Sequence, residues 1–247
     1  MHRARGAGPL RLLCPRKAGR AGWIVTSSLG GGLVDGDAVA LEVDVHAGAT
    51  CVITTQASTK VYRGTARQRL DVRVRGDALA LVVPDPVVPF RGAHYVQTTA
   101  VALDGGASLV LSDVVTAGRV AFGECWSAAY LATTLDVGIA ETRVLLDRLV
   151  LDPAHGPVAA RMGRFEAIAT AVLVGPRVAE VAQAQLARIA RMPIERGAAV
   201  VIAGSPLRDG AVFRIAGERV EAVVHATRAL LRDACAQAGE DPWSRRW

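Results

Sequence analysis

Four short runs carry most of the chemistry this chain could do. Leu29-Gly30-Gly31-Gly32-Leu33-Val34-Asp35-Gly36-Asp37 is a glycine-rich turn bearing two carboxylates. Thr54-Thr55-Gln56 is followed by Lys60, Tyr62 and Arg63, which gathers hydroxyls, an amide and two cations. Val83-Pro84-Asp85-Pro86-Val87-Val88-Pro89-Phe90 holds Asp85 between two prolines. Asp113 precedes Gly118-Arg119, and Gly123-Glu124 comes five residues later. Carboxylates, hydroxyls and amides of this kind hold cations loosely through oxygen, or pair with arginines.

Each run has a plainer reading. The glycines invite comparison with a phosphate loop, which needs a strand before it and a helix after it, so that helix amides face the anion. Here an alternating strand follows, and no G-K-[ST] occurs. A tight glycine turn is the better reading, with Asp37 taking backbone N–H bonds. The Thr54–Arg63 run is either a polar site at a strand end or a surface strand with a mixed polar face. Proline fixes φ and removes a donor, so the Asp85 segment leaves a sheet or follows its edge. Asp85 is then part of a rigid connection or a carboxylate presented in a fixed direction. Arg119 and Glu124 read as an ion pair, or Glu124 faces a cavity.

Other chemistries find less support. His2, His46, His94, His155 and His225 never cluster, and the cysteines Cys14, Cys51, Cys125 and Cys235 form no C-x-x-C pair. No tight zinc-type site or disulfide framework follows, and the cysteine usage fits a reducing compartment. No G-x-S-x-G elbow appears. A hydrolase using Asp85, Glu124 and a distant His94 is the alternative to be tested.

The elements that must position these residues are mostly strands. Val39, Leu41, Val43 and Val45 alternate with polar or small residues, as do Leu70, Val72 and Val74. Thr50 to Thr55, Leu79 to Val83, Val96 to Leu103, Leu109 to Leu111, Leu131 to Val137 and Arg143 to Leu151 read as further strands. Turn signals separate them at 46–48, 75–77, 104–106 and 136–138. A helical period predicts a helix over 177–191 and another from Glu218 to Ala236, with strands at Ala199–Ala203 and Ala211–Ile215 between them. The fold class predicted is mainly β, a layered or helical β-sheet scaffold with about two α-helices in the C-terminal part. The domain reading is a basic, poorly ordered segment over 1–22 and a single β-rich unit over 23–247.

Composition sets outer bounds. The 247 residues are 51% hydrophobic and 4% aromatic, so small aliphatics fill the core and few rings are left to stack on bases. The net charge of +6 is almost all arginine, crowded at the start (Arg3, Arg5, Arg11, Arg16, Lys17, Arg20) and at Arg245 and Arg246. Basic ends bind acidic partners or nucleic acid, or are solvated tails. No apolar run is long enough for a membrane helix, and no secretory signal is seen. A cytoplasmic protein without membrane attachment is expected, with nucleic acid a weak candidate partner.

Taken in order, the runs resemble the urease accessory protein UreD (UreH) family. The family pattern is a glycine turn ending in G-D, then T-T-Q-A-x-x-K-x-Y-R, then L-P-x-P-x-x-P-F, then D-x-x-x-x-G-R-x-x-x-G-E. Gly36-Asp37, Thr54 to Arg63, Val83 to Phe90 and Asp113 to Glu124 match it, and 146–149 and 151–153 are similar to the family as well. Val83 replaces a usual leucine, and Ala117 stands where proline is common. The family has further β segments before its G-P-L-R run, here Gly8-Pro9-Leu10-Arg11, so the chain reads as short at its N-terminus.

The resemblance implies a largely β fold with a few helices and no enzymatic activity of its own. It implies partners: UreF, the GTPase UreG and apo-urease. It also implies a role in bringing nickel to urease, with no tightly bound cofactor and only transient Ni2+. A relay of that kind holds nickel weakly, which suits scattered carboxylates, hydroxyls and waters. On this reading Asp37, Asp85 and Glu124 are the leading nickel contacts. Thr55, Gln56, Lys60, Tyr62, Arg63, Asp113 and Arg119 line the polar path or touch a partner, and Arg63 and Arg119 are placed to pair with the carboxylates.

Overall fold

The computed structural model describes residue 5 and residues 9–15, 19–193 and 195–244. Arg3, Arg16, Lys17, Arg245 and Arg246, the basic ends weighed above for nucleic-acid contact, lie outside the described residues.

The first half is a coil of strands that alternates between two sheets. In chain order these are β1 (Leu10–Leu13), β2 (Gly22–Ser28), β3 (Ala38–Val45), β4 (Thr50–Thr55), β5 (Thr59–Val61), β6 (Gly64–Val74) and β7 (Leu79–Val82). There follow β8 (Val87–Pro89), β9 (Ala93–Leu103), β10 (Ser108–Thr116), β11 (Tyr130–Ile139) and β12 (Thr142–Leu151). β2, β4, β7 and β10 pair in parallel in the larger sheet; β3, β6, β9 and β11 pair in parallel in the smaller one. The chain thus winds as a flattened β-helix, each strand lying on the strand one coil earlier. The predicted mainly β, layered scaffold is what is found.

Tight turns return the chain from the small sheet to the large one. Two of the three are fastened by an aspartate of the next coil: Asp77 accepts the Gly48 N–H at 2.6 Å, and Asp104 accepts the Gly76 N–H at 2.7 Å. Three of the four turns marked in the sequence, 46–48, 75–77 and 104–106, are these; the fourth, 136–138, lies inside β11, and the chain turns at Ala140 and Glu141 instead.

Antiparallel strands close the ends. β1 lies on β2, and β12 folds back on β11. Leu10–Leu13, within the 1–22 segment expected to be poorly ordered, forms a strand along the edge of β2. After a short helix α1 (Val158–Met162), β13 (Ala167–Val174) extends the large sheet, followed by helix α2 (Ala179–Ala190), β14 (Val200–Leu207), β15 (Gly210–Gly217) and helix α3 (Val220–Cys235). The sheet order ends β10-β13-β15-β14. Val223, Thr227, Leu230, Leu231 and Ala234 form the buried stripe of α3, at the spacing that one face of a helix requires. With Ala182 of α2 they cover the outer face of the large sheet, around Phe213 and Ile215.

The space between the sheets holds two separate apolar clusters. One gathers Val43, Val72, Val101, Leu109, Leu111 and Val137 near the tight turns. The other gathers Leu33, Val61, Tyr95, Val115, Trp126 and Leu131 near the opposite edge. What lies between them is polar.

Candidate functional site

Strand register builds the polar layer. Side chains alternate along a strand, so a polar residue at an inward position lines up with its neighbours across the sheet. In the large sheet Thr26 aligns with Thr55, Asp113 with Thr170, and Thr170 with Arg214. In the small sheet Gln68 aligns with Gln97, and Gln97 with Thr133. The two rows face each other and run across the strands, along the axis of the coil.

Hydrogen bonds connect the rows. Tyr95 Oη lies 3.0 Å from both Gln68 Oε1 and Gln97 Oε1, and Gln97 Nε2 donates to Asp113 Oδ1 at 3.0 Å. A phenol has one hydrogen. Gln97 commits its NH2 to Asp113, so its carbonyl takes the phenol proton, and Gln68 turns its own NH2 toward the phenol oxygen. Burial pushes the Asp113 carboxyl up to about 6; the Gln97 bond opposes the shift, the nearby Asp147 charge adds to it, and Arg214 and Thr133 oppose it.

At one end of the layer Arg214 forms an ion pair with Asp147 of β12, joining the two sheets, and donates to Thr170 Oγ1 at 2.7 Å. At the other end Asp85, 5% exposed, is held by the Thr55 hydroxyl. Arg228 of α3 stands 3.5 Å from its Oδ1. Between these ends lies a cavity of about 50 Å³ touching Thr55, Gln68, Asp85, Gln97, Thr99 and Asp113. That is room for a few waters among polar partners. A surface basin of about 220 Å³ shares Thr26, Thr55, Thr59 and Gln68 with the cavity and carries Gln56 and Lys60 on its wall.

The sequence-predicted residues therefore fall into two groups. Thr55, Asp85 and Asp113 meet at the cavity, with Gln56 and Lys60 on the wall of the adjoining basin. The others sit on the edge where the chain crosses from the large sheet to the small one. Asp37 is exposed there, and its Oδ2 accepts the Val34 N–H at 2.8 Å. Tyr62 packs edge-on against Phe90 at 5.0 Å, and Arg63 lies against Gly92. Arg119 grips Glu124 with two bonds, 3.0 and 2.5 Å, while the Arg91 N–H donates to Glu124 at 3.2 Å. The Arg119 bonds hold the Glu124 carboxyl below its ordinary range against the opposing effect of burial, with the Arg91 N–H helping.

Asp85, Glu124 and His94 do not converge. His94 stacks on Tyr130 at 4.7 Å on the outer face of the small sheet, and no hydrogen bond joins any two of the three. Among the described residues no group of three or more His, Cys, Asp or Glu side chains gathers as a metal cage. No helix among them is long and apolar enough to cross a membrane.

Gln68, Tyr95, Gln97, Asp147, Thr170 and Arg214 are not among the site residues expected from the sequence. A signal for them exists: each stands at the inward parity of a strand whose inward residues are mostly apolar, as Gln97 does beside Val101 and Leu103.

Comparison with known proteins agrees with the runs noted at the outset. A family profile described as UreD urease accessory protein matches residues 1–247. The chain is 46% identical over 250 residues to a protein named urease accessory protein UreD from Sorangium cellulosum, covering 100% of this chain and 80% of the relative. It is 44% identical over 243 residues to one of the same name from Anaeromyxobacter, covering 97% and 82%. A urease accessory protein D of Arabidopsis thaliana is 38% identical over 183 residues, covering 70% of this chain and 62% of the relative.

Proposed function

Since the chain belongs to the UreD urease accessory protein family, we propose that it serves urease maturation as a scaffold whose polar interior passes nickel toward apo-urease. On this reading it works in the cytoplasm with UreF and the GTPase UreG and carries out no turnover itself.

The observation that supports the path is the continuous polar layer from Thr26 and Thr55 through Gln97 and Asp113 to Arg214 and Asp147. A hydrated divalent cation needs oxygen ligands that yield it again. The cavity offers the Asp85 and Asp113 carboxylates, hydroxyls and side-chain carbonyls, with no imidazole or thiolate. Asp113, titrating near 6, is mostly ionised at neutral pH, so it supplies charge where water is scarce. On this reading an ion enters from the adjoining basin, past Gln56 and Lys60. Asp37 and Glu124 are carboxylates of the outer edge; nickel contact there requires loosening the Val34 and Arg119 bonds.

The test is the nickel content of urease matured with Asp113→Ala in place of the native chain, at matched protein levels. A several-fold drop in nickel per active site is expected. Full nickel content with Asp113→Ala, or with the chain removed altogether, defeats the proposal.

A further inference from the structure

The large sheet has a gap in its ladder of hydrogen bonds. β10 pairs with β7 as far as Leu111 and with β8 at Val115. The segment between β7 and β8 carries Pro84-Asp85-Pro86, and neither proline has an N–H to give to a neighbouring strand. The Asp85 N–H goes to the Thr55 hydroxyl at 2.9 Å. On the inner side of the gap lies the polar cavity, touched by Asp85 and Asp113. On the outer side runs α3, and its Arg228 reaches the gap with a guanidinium nitrogen 3.5 Å from Asp85 Oδ1.

The two partners differ in their surroundings. The Asp85 side chain is 4% exposed and is fixed by its flanking prolines and by Thr55. The Arg228 side chain is 37% exposed and borders a surface basin of about 520 Å³. Trp243 lines the same basin, with its ring 5.4 Å from the guanidinium, close enough for an aromatic face to attract a cation. The cation therefore has water and a ring to retreat to, whereas the carboxylate is held in place. Their contact is also long. Arg69 grips Asp71 with two bonds of 2.6 Å, and Arg143 holds Asp136 at 2.9 and 3.0 Å. At 3.5 Å Arg228 neutralises Asp85 without the short, paired bonds that would lock it there.

We propose that Arg228 is a displaceable counter-ion: its guanidinium and a divalent cation in the polar cavity compete for the Asp85 carboxylate, and Arg228 swings into the basin beside Trp243 while the ion is held. This deepens the nickel reading above and rests on it. The charges favour the exchange. A divalent ion with ionised Asp85 and Asp113 makes the cavity neutral, so a guanidinium left in place adds a repelling charge where water is scarce. When the ion leaves, the returning guanidinium neutralises a buried carboxylate again, which lowers the cost of emptying the site. The competition keeps the hold on the ion weak, as a relay requires. Arg228 acts here as a positioning residue: it sets how tightly the cavity holds its cargo and does not touch the ion.

The full chain is dialysed to equilibrium against Ni2+ as wild type and as its Arg228→Met, Arg228→Gln and Arg228→Lys variants, each also combined with Asp85→Asn. Two neutral replacements are used so that a folding defect in one leaves the other to report. Without the guanidinium, Ni2+ binding is expected to tighten by about 5- to 10-fold, because the competing state is gone, and release to an added chelator to slow by a similar factor. Arg228→Lys keeps a cation and should bind Ni2+ nearly as the wild type does. In the Asp85→Asn background the gain should vanish. A purely structural role for Arg228 would weaken binding or leave it unchanged. If Asp85→Asn or Asp113→Ala lowers Ni2+ binding while both neutral variants at Arg228 stay within about twofold of the wild type, the counter-ion proposal falls and the nickel path stands. If neither carboxylate substitution alters Ni2+ binding, both fall. A gain that persists with Asp85→Asn would place the competition elsewhere and overturn the proposal.

Discussion

Thr55 and Asp85, thirty residues apart, exchange two hydrogen bonds: the Thr55 hydroxyl donates to Asp85 Oδ2 at 3.2 Å and accepts the Asp85 N–H at 2.9 Å. The prolines on either side of Asp85 fix the direction of its carboxylate, and the next coil supplies its partner. Thr55→Val removes the hydroxyl at constant shape and leaves a buried amide without its acceptor. A loss of about 1–3 kcal/mol in denaturant unfolding is expected, with Thr55→Ser retaining most of the stability. A Thr55→Val variant as stable as the wild type would mean that water replaces the hydroxyl.

Asp113 gives the fold an unusual dependence on pH. Its carboxyl titrates near 6 in the folded chain against an ordinary value of 3.8, because burial disfavours the charge. The folded state therefore binds the proton more tightly than the unfolded one. This contribution is fully present below about pH 4 and is lost as pH rises to about 6. The loss is on the order of 3 kcal/mol for a shift of about two pH units. Asp113→Asn keeps an acceptor for Gln97 and has no charge to bury. It should be more stable than the wild type at pH 7, the two converging toward pH 4. Parallel urea-unfolding stabilities across that range would contradict the assignment.

Arg214 joins the sheets through Asp147 and also holds Thr170. The guanidinium is 38% exposed and the carboxylate 17%, so solvent weakens their attraction. Arg214→Ala should cost about 1–2 kcal/mol, much of it from leaving Asp147 unpaired in a half-buried place. In a double-mutant cycle with Asp147→Asn, a coupling of about 1 kcal/mol is expected. Additive single effects would show that the pair does not tie the sheets together.

Much of the small sheet was legible because one face of its strands is exposed or half-buried. Leu70, Val72 and Val74 alternate with Asp71, Arg73 and Arg75, and the pairing follows that alternation. β13 was not legible: Ala-Ile-Ala-Thr-Ala-Val-Leu-Val is buried on both faces, between the second sheet and the helices, so no period of two is left. Parallel stacking one coil apart was also hidden, since it depends on pairing between residues about thirty positions apart. The same holds for the site. Asp37, Asp85, Asp113 and Glu124 stand out by residue type, yet parity along β10 turns Asp113 inward, while Asp37 and Glu124 fall in the connections of the outer edge. Gln97 gave no motif, only a polar residue at an apolar parity.

The three glycines of the opening turn should differ in what they tolerate. Gly30 and Gly31 have φ of 79° and 80°, and a Cβ on either meets nothing within 4 Å. Alanine at each costs the left-handed conformation alone, about 1 kcal/mol. Gly32 is extended, with φ of 170°, so its backbone suits any residue. A Cβ there, however, would lie 2.6 Å from the Tyr62 ring and 2.7 Å from the Lys60 carbonyl oxygen. That carbonyl accepts the Leu33 N–H at 2.8 Å, and the Leu33 carbonyl accepts the Tyr62 N–H at 2.9 Å, so the backbone cannot retreat without breaking the stacking of the first two connections. Gly32→Ala should therefore cost about 2–3 kcal/mol, the range of an overpacked core, although its φ is the least demanding of the three. Urea-unfolding midpoints of the three single alanine variants rank them directly. A Gly32→Ala variant no less stable than Gly31→Ala would show that the two connections yield at Tyr62 and do not need a glycine there.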